Sequence, residues 1–242
     1  MNNTGIILTG ASTGLGLALA NEALHQGAAV STISRTQPVL NTQKQTQWQQ
    51  ADLSHGFDAT ELIKNAMAFL HTQNCTKILL LNNAGSVDPM NLCGHYPEQA
   101  VTTSIALNVT APILLINTFT AQLPTNIQGS VLNISSGAAH TAYPGWGIYC
   151  ATKAALDQFT RVFAAEQKNI KAVSMAPGIV DTNMQQHIRT QNEVEFPLVE
   201  RFIQLEQEGK LASATETAQK ILQYFNSHSF AEEAVVDIRD IK

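Results

Sequence analysis

Apolar residues in this chain fall in short, nearly unbroken runs, separated by longer stretches with helical periodicity. Ile6-Ile7-Leu8 is the first run, stopped by Thr9-Gly10. Others follow at Ala28 to Ser34, near Gln47 to Leu53, at Ile78 to Leu81, at Val131 to Ile134 and at Ala172 to Met175. Between them a helix is predicted from about Leu15 to His25, closed by Gly27, and helical stretches near 58–72, 97–122, 147–167 and 213–225. Alternating strands and helices predict parallel strands joined by crossovers. Strands apolar at consecutive positions predict a sheet covered on both faces. The expected fold is α/β, a Rossmann-type doubly wound parallel sheet, with residues 1–242 forming a single domain.

Two segments depart from this rhythm. Only Thr36 to Gln45 separate the second strand from the third. That barely reaches the dozen or so residues a parallel crossover needs. With its glutamines and Pro38, it predicts a loop or one turn. After the sixth strand, Asp181 to Glu195 is polar without a clear period, and Leu198 to Glu206 is amphipathic. This insertion follows the carboxyl edge of the sheet, where open α/β folds bind ligands. Residues 181–210 therefore read as a small helical lid.

Composition narrows the functional classes. Apolar residues make up 44% of the 242, enough for a real core. A formal charge of −5 argues against nucleic acid or an anionic membrane as partner. No continuous apolar run is long enough to span a bilayer, and no basic-then-apolar leader opens the chain, so a cytoplasmic location is expected. Cys75, Cys93 and Cys150 have no Cys-x-x-Cys spacing, which fits a reducing compartment. None of the seven histidines pairs at metal-ligand spacing, so no metal is expected.

The chemistry concentrates in a few strings. Thr9-Gly10-Ala11-Ser12-Thr13-Gly14-Leu15-Gly16 joins the first strand to the first helix. Glycines there permit a tight turn and close approach of backbone to a pyrophosphate, which the helix N-terminus attracts. Gly10, Ser12, Thr13, Gly14, Leu15 and Gly16 are the candidate contacts. The second strand ends in Ser34-Arg35-Thr36, with no carboxylate to hold a ribose 2′-hydroxyl and with a guanidinium suited to a phosphate. That favours NADPH/NADP+; the alternative is an exposed arginine at a strand end. Asp52, before Leu53, either accepts from an adenine amino group or caps the next turn. Asn83-Ala84-Gly85 ends the fourth strand with small residues that leave room for a ribose. Tyr149 and Lys153 share a helix face at i and i+4, with Ser136 thirteen residues upstream of the tyrosine. A lysine beside the phenol is expected to lower its pKa toward neutrality, fitting it to exchange a proton with a carbonyl oxygen.

Together and in this order, the glycine loop, Asn-Asn-Ala-Gly, Ser136 with Tyr-x-x-x-Lys and Pro177-Gly178 resemble the short-chain dehydrogenase/reductase family over essentially the whole chain. Extended sugar epimerases share Tyr-x-x-x-Lys but differ in glycine spacing and carry a larger C-terminal region. Asn133 to Ala138, Tyr143 to Cys150, Ala176 to Met184 and Arg201-Phe202-Ile203 with Gly209-Lys210-Leu211 resemble the branch of sepiapterin reductases and bacterial benzil reductases. The resemblance implies Tyr149 as proton donor, and Lys153 as the group that tunes it and bonds the nicotinamide ribose. It implies Ser136 as the group orienting the carbonyl oxygen, and Asn108 as holder of a relay water. Ile179, through its backbone, and Thr182 would meet the nicotinamide carboxamide. The other reading of Asn108 is a polar residue breaking a helix before Pro112. Tyr143 and Trp146 either pack beneath the Pro144 loop or, with Met184, line the substrate pocket.

The implied activity is reduction of a small, fairly apolar ketone or α-diketone, in a pocket with few fixed cations. Alternatives are an NADP-dependent alcohol dehydrogenase, a pterin ketone reductase, or a dinucleotide-sensing protein without turnover. A homodimer or homotetramer is expected, through the helices near 97–122 and 147–167.

Overall fold

In the computed structural model, which describes residues 1–241, seven parallel strands form one sheet in the order β3-β2-β1-β4-β5-β6-β7. They are β1 (Thr4–Thr9), β2 (Ala29–Ser34), β3 (Thr46–Gln50), β4 (Lys77–Asn82), β5 (Gln128–Ile134), β6 (Ile170–Ala176) and β7 (Val235–Asp237). Eight helices join or flank them: α1 (Gly14–His25), α2 (Ala59–Thr72), α3 (Glu98–Ile105), α4 (Ala111–Gln122), α5 (Gly147–Glu166), α6 (Asn183–Arg189), α7 (Val199–Gln207) and α8 (Ala214–Phe225).

The unbroken apolar runs follow from the pleat. Side chains alternate faces, so a strand covered on both sides needs apolar residues at every position. Ile6 and Leu8 join Leu79, Leu81, Leu132 and Val173 in the layer under α1 and α8. Ile7, one residue out of phase, joins Ile78, Leu80 and Val131 in the opposite layer, under α2, α4 and α5. The strand order reverses between β1 and β4, which places a crevice at their carboxyl ends.

Most of this architecture matches the expectations, including the absence of a helix between β2 and β3. Two elements were not expected. A short helix, α6, occupies part of the polar stretch after β6, and β7 closes the sheet by pairing Val235 to Asp237 with Ser174 to Ala176. The stretch 97–122 is helical but not uniform, because a π-helical segment, Ala106–Thr110, joins α3 to α4. Glu98–Gln122 is, by length and composition, long and apolar enough to cross a bilayer. Here it is a layer helix, with Leu115, Ile116 and Phe119 in the core against the sheet. Ile105 and Leu114 face outward.

Candidate active site

The glycine loop owes its shape to steric limits. Gly10 sits at φ +70°, in the left-handed region that glycine tolerates best. A Cβ on Gly16 would collide with the carbonyl oxygen of Gly10, so helix α1 can approach the loop this closely only without a side chain there. Asn83 fastens the loop from β4: its Nδ2 donates to the carbonyls of Thr9 (3.1 Å) and Gly10 (3.0 Å). The Thr9 hydroxyl accepts in turn from the N–H groups of Asn83 and Ala84. The first turn of α1 carries no acidic residue, so its N-terminal N–H groups and positive dipole end face the crevice unopposed. This cradle fits the pyrophosphate of a dinucleotide.

One cleft of about 390 Å³ runs from that loop across the carboxyl edge of the sheet. Gly10, Ser12, Thr13, Gly14, Leu15, Gly16, Ser34, Arg35, Asp52, Leu53, Asn83, Ala84, Gly85, Pro177, Gly178, Ile179 and Thr182 all line it. Ser136, Tyr143, Trp146, Tyr149, Lys153 and Met184 line its other end. Arg35 is exposed at the end of β2, and among the described residues it makes no ion pair. Asp52 behaves as the local turn residue of the two readings. Its Oδ1 accepts from the Ser54 N–H (3.0 Å) and the Ser54 hydroxyl (2.6 Å), bonds that hold its pKa below the usual carboxylate value. Ile179 accepts from the Ala212 N–H through its carbonyl at 2.9 Å, which fixes its backbone at the cleft edge.

The reacting end is assembled from three elements. Ser136 lies two residues past the end of β5 and caps a 3-10 turn, Gly137–Ala139, by accepting from the Ala138 N–H at 3.1 Å. Helix α5 carries Tyr149 and, one turn on, Lys153, whose Nζ lies 5.7 Å from the tyrosine ring centroid. Lys153 Nζ donates to the carbonyl of Ile134 at 2.8 Å. Here the expected lowering of the tyrosine pKa is not seen. Burial pushes the Tyr149 phenol up to about 12, against the hydrogen bond from Ser136, and pulls Lys153 down to about 8, against the negative charge of Asp157. Both groups are withdrawn from water, so each favours its neutral form, and the lysine bonds a carbonyl rather than the phenol.

Asn108 lies behind the cleft wall, in the π-helical segment, and is fully buried. Its Oδ1 accepts from the Ser86 N–H (2.9 Å), and its Nδ2 donates to the Ser86 carbonyl (2.8 Å) and to Thr152 Oγ1 (3.2 Å). The side chain therefore holds the strand-end loop after Gly85 against α5. Its main-chain carbonyl lacks the usual helical donor four residues on, because that residue is Pro112 and has no N–H. The helix is thus interrupted at Asn108 by a π-helical segment and resumes as α4, rather than breaking before Pro112.

Trp146 joins the packing role and the pocket role. It stacks on Phe196 (centroids 4.9 Å apart) and touches Phe202, Tyr143 and Tyr149, while also forming cleft wall. The expectation of a pocket with few fixed cations needs correction. Arg201, from α7, and Arg239, just after β7, both reach the cleft. Arg239 grips Asp237 bidentately, at 2.8 Å and 2.6 Å. Sequence reasoning missed these because β7 is three residues long and because an arginine on an amphipathic helix looks like a solvated face. It also missed Asp157, a buried carboxylate one turn beyond Lys153 that accepts from Ser174 Oγ (2.6 Å) and pairs with His140 (2.9 Å). The i+4 spacing from Lys153 was the available signal.

A family description for short chain dehydrogenases matches residues 4–193, across the glycine loop, Ser136, Tyr149 and Lys153. The chain belongs to the short chain dehydrogenase family. Within it, the chain is 38% identical to a benzil reductase ((S)-benzoin forming) of Bacillus subtilis, over 86% of this chain and 87% of that protein. It is 34% identical to the enzyme of the same name from Bacillus cereus (96% and 98%), and 32% identical to sepiapterin reductase of Rattus norvegicus (97% and 96%). The KRED1-Pglu enzyme has the same fold, with a TM-score of 0.85 at 24% identity over 96% of this chain and 99% of that one. As a short chain dehydrogenase, the protein is an oxidoreductase acting on CH–OH and C=O groups with a nicotinamide dinucleotide cofactor.

Proposed function

We propose that the protein is an NADPH-dependent carbonyl reductase that converts a small, largely apolar ketone or α-diketone of the benzil kind to the hydroxy compound. The observation that carries this reading is one cleft with Arg35 and the glycine loop at one end and Ser136, Tyr149 and Lys153 at the other. NADPH, when bound, supplies the hydride to the carbonyl carbon. Arg35 would hold the 2′-phosphate, and the α1 N-terminus the pyrophosphate. Lys153 would bond the nicotinamide ribose, with the Ile179 N–H and Thr182 at the carboxamide. Ser136 orients the carbonyl oxygen and stabilises charge developing there. Tyr149, protonated because it is buried, gives its proton to that oxygen. A proton would then return to the Tyr149 phenolate from Lys153, and Asn108, through its main-chain carbonyl, would hold the water that re-protonates Lys153. Trp146, Met184 and Phe202 form an apolar wall that excludes bulk water.

The similarity to benzil reductases supports the diketone, and that to sepiapterin reductases over nearly the full length supports a pterin side-chain ketone as second reading. A sensor without turnover fits less well, since all four residues of the Asn-Ser-Tyr-Lys set are present. Loss of nicotinamide absorbance on mixing protein, NADPH and benzil tests the reading. Benzil is expected to be reduced at one carbonyl, with kcat/KM at least about tenfold above that for pyruvate, because an apolar wall favours the larger apolar ketone. Tyr149→Phe is expected to lower kcat about 10²–10⁴-fold while NADPH binding stays within a few-fold. Equal rates on pyruvate, or a Tyr149→Phe variant keeping a tenth of wild-type kcat, would overturn it.

A further inference from the structure

The substrate half of the cleft holds a cation that the proposed chemistry does not use. Arg201 projects from α7, and its guanidinium carbon lies 5.6 Å from the centroid of Tyr143. Among the described residues, Arg201 has no carboxylate within ion-pair distance. Among the described residues, two carboxylates line the cleft, Asp52 and Asp237. Asp52 is at the strand-end turn beyond β3, bonded to Ser54. Asp237 is held by two guanidinium nitrogens of Arg239, Nε and Nη2, and by the Arg239 backbone N–H. Arg239 and Asp237 therefore pair with each other, whereas Arg201, exposed on α7, is left beside an aromatic wall with no carboxylate partner among the described residues.

That wall sets an order of contacts. From Arg201 to Tyr143, from Tyr143 to Trp146 (5.3 Å) and from Trp146 to Tyr149 (5.4 Å), each step spans about one ring. An aryl ketone lying along this wall would place its ring against Tyr143 and Trp146, between Arg201 and a carbonyl at Tyr149. Stacking on Tyr143 also restrains the guanidinium, so less rotamer freedom is lost when a ligand binds.

We propose that Arg201 is a substrate-specificity residue, and that the preferred substrate class is an aryl ketone or diketone with an anionic group, a carboxylate in the simplest case, on the ring remote from the reacting carbonyl. This rests on the carbonyl-reductase reading and names the substrate class of that same site. A planar guanidinium matches a carboxylate bidentately. Such a contact fixes which carbonyl of an unsymmetrical diketone faces Tyr149, the one farther from the charged ring.

The probes are benzil, benzil bearing a carboxylate at the 4-position of one ring, and the methyl ester of that acid. In wild type, kcat/KM for the acid is expected to exceed that for the ester by about tenfold, the low end for a charge-assisted bond at a partly solvated site. The acid should be reduced at the carbonyl remote from its charged ring. In Arg201→Ala the acid-to-ester ratio should fall to near one and the site of reduction become mixed; Arg201→Lys should keep part of the ratio. A ratio near one in wild type, or one that Arg201→Ala leaves unchanged, overturns the assignment even if benzil turns over briskly. Quenching of tryptophan fluorescence by the acid, but not the ester, in wild type and not in Arg201→Ala, with no diketone reduced, would keep the assignment and sink the benzil reading instead.

Discussion

Lys153 reaches the site almost fully buried, with the Ile134 carbonyl as its hydrogen-bond acceptor, and its pKa falls from 10.5 to about 8. This desolvation has a kinetic consequence. As Tyr149 gives up its proton a phenolate develops, and a protonated lysine beside it stabilises that charge. Below about pH 8 the ammonium is present; above it, the phenolate must form without a counter-charge. The kcat/KM for reduction, which reports the free enzyme, is therefore expected to be level below pH 8 and to fall above it. A profile flat from about pH 6.5 to 9.5 would show that Lys153 stays charged or that its charge does not matter. Tyr149, raised to about 12, remains a proton donor throughout this range. The pairing of tyrosine and lysine was legible in the sequence from i, i+4 spacing. The sign of the tyrosine shift was not, because spacing places a cation nearby but does not report how little water reaches either group.

At the scale of elements, the proposed NADPH preference rests on the end of β2. Ser34 bonds the Thr36 carbonyl at 2.8 Å, which shapes the turn, and Gln50 on the neighbouring β3 end donates to the Arg35 carbonyl at 3.1 Å. The backbone under Arg35 is thus held while its side chain is free to meet a phosphate. Arg35→Ala is expected to raise KM for NADPH by roughly tenfold, the low end for a charge-assisted phosphate contact because the group is exposed, and to leave NADH kinetics nearly unchanged. Wild-type turnover equally fast with NADH would contradict the reading. Strand β2 and the missing crossover helix were legible because apolar runs and a ten-residue gap are local signals. By contrast, β7 is three residues long and gains its place by pairing with β6, a contact across about sixty residues that no local pattern reports. Helix α6 is polar along the sequence, yet its Ile188 and Gln185 are buried, the former packed with Phe196 and Phe202 of the same lid. The lid's anchor, Phe196 stacked on Trp146, likewise appears only once the two segments meet.

For the whole molecule, the question is what covers the outer face of the long helix. Glu98–Gln122 has a mean hydropathy of 1.5 over its most apolar window, and only a third of that window is buried within one chain. Ile105 and Leu114 on this helix are 43% and 42% exposed, and Val162 on α5, the element packed beside α3, is 44% exposed. Core contacts account for Leu115, Ile116 and Phe119, but not for these outward residues. A helix apolar on more than one face calls for a second apolar surface. Two copies meeting through α4 and α5 would supply it symmetrically, each offering the same patch to the other. Light scattering at micromolar concentration is therefore expected to give at least twice the 26.2 kDa chain mass. Placing a carboxylate at Leu114 and another at Val162 should shift the mass to that of one chain, since two buried charges facing their symmetry mates cost several kcal/mol each. The sheet and the cleft lie on the other side of these residues, so circular dichroism of the variant should stay that of the folded protein. A wild-type mass of 26.2 kDa at micromolar concentration would mean that the long helix carries its apolar face in water without a partner copy.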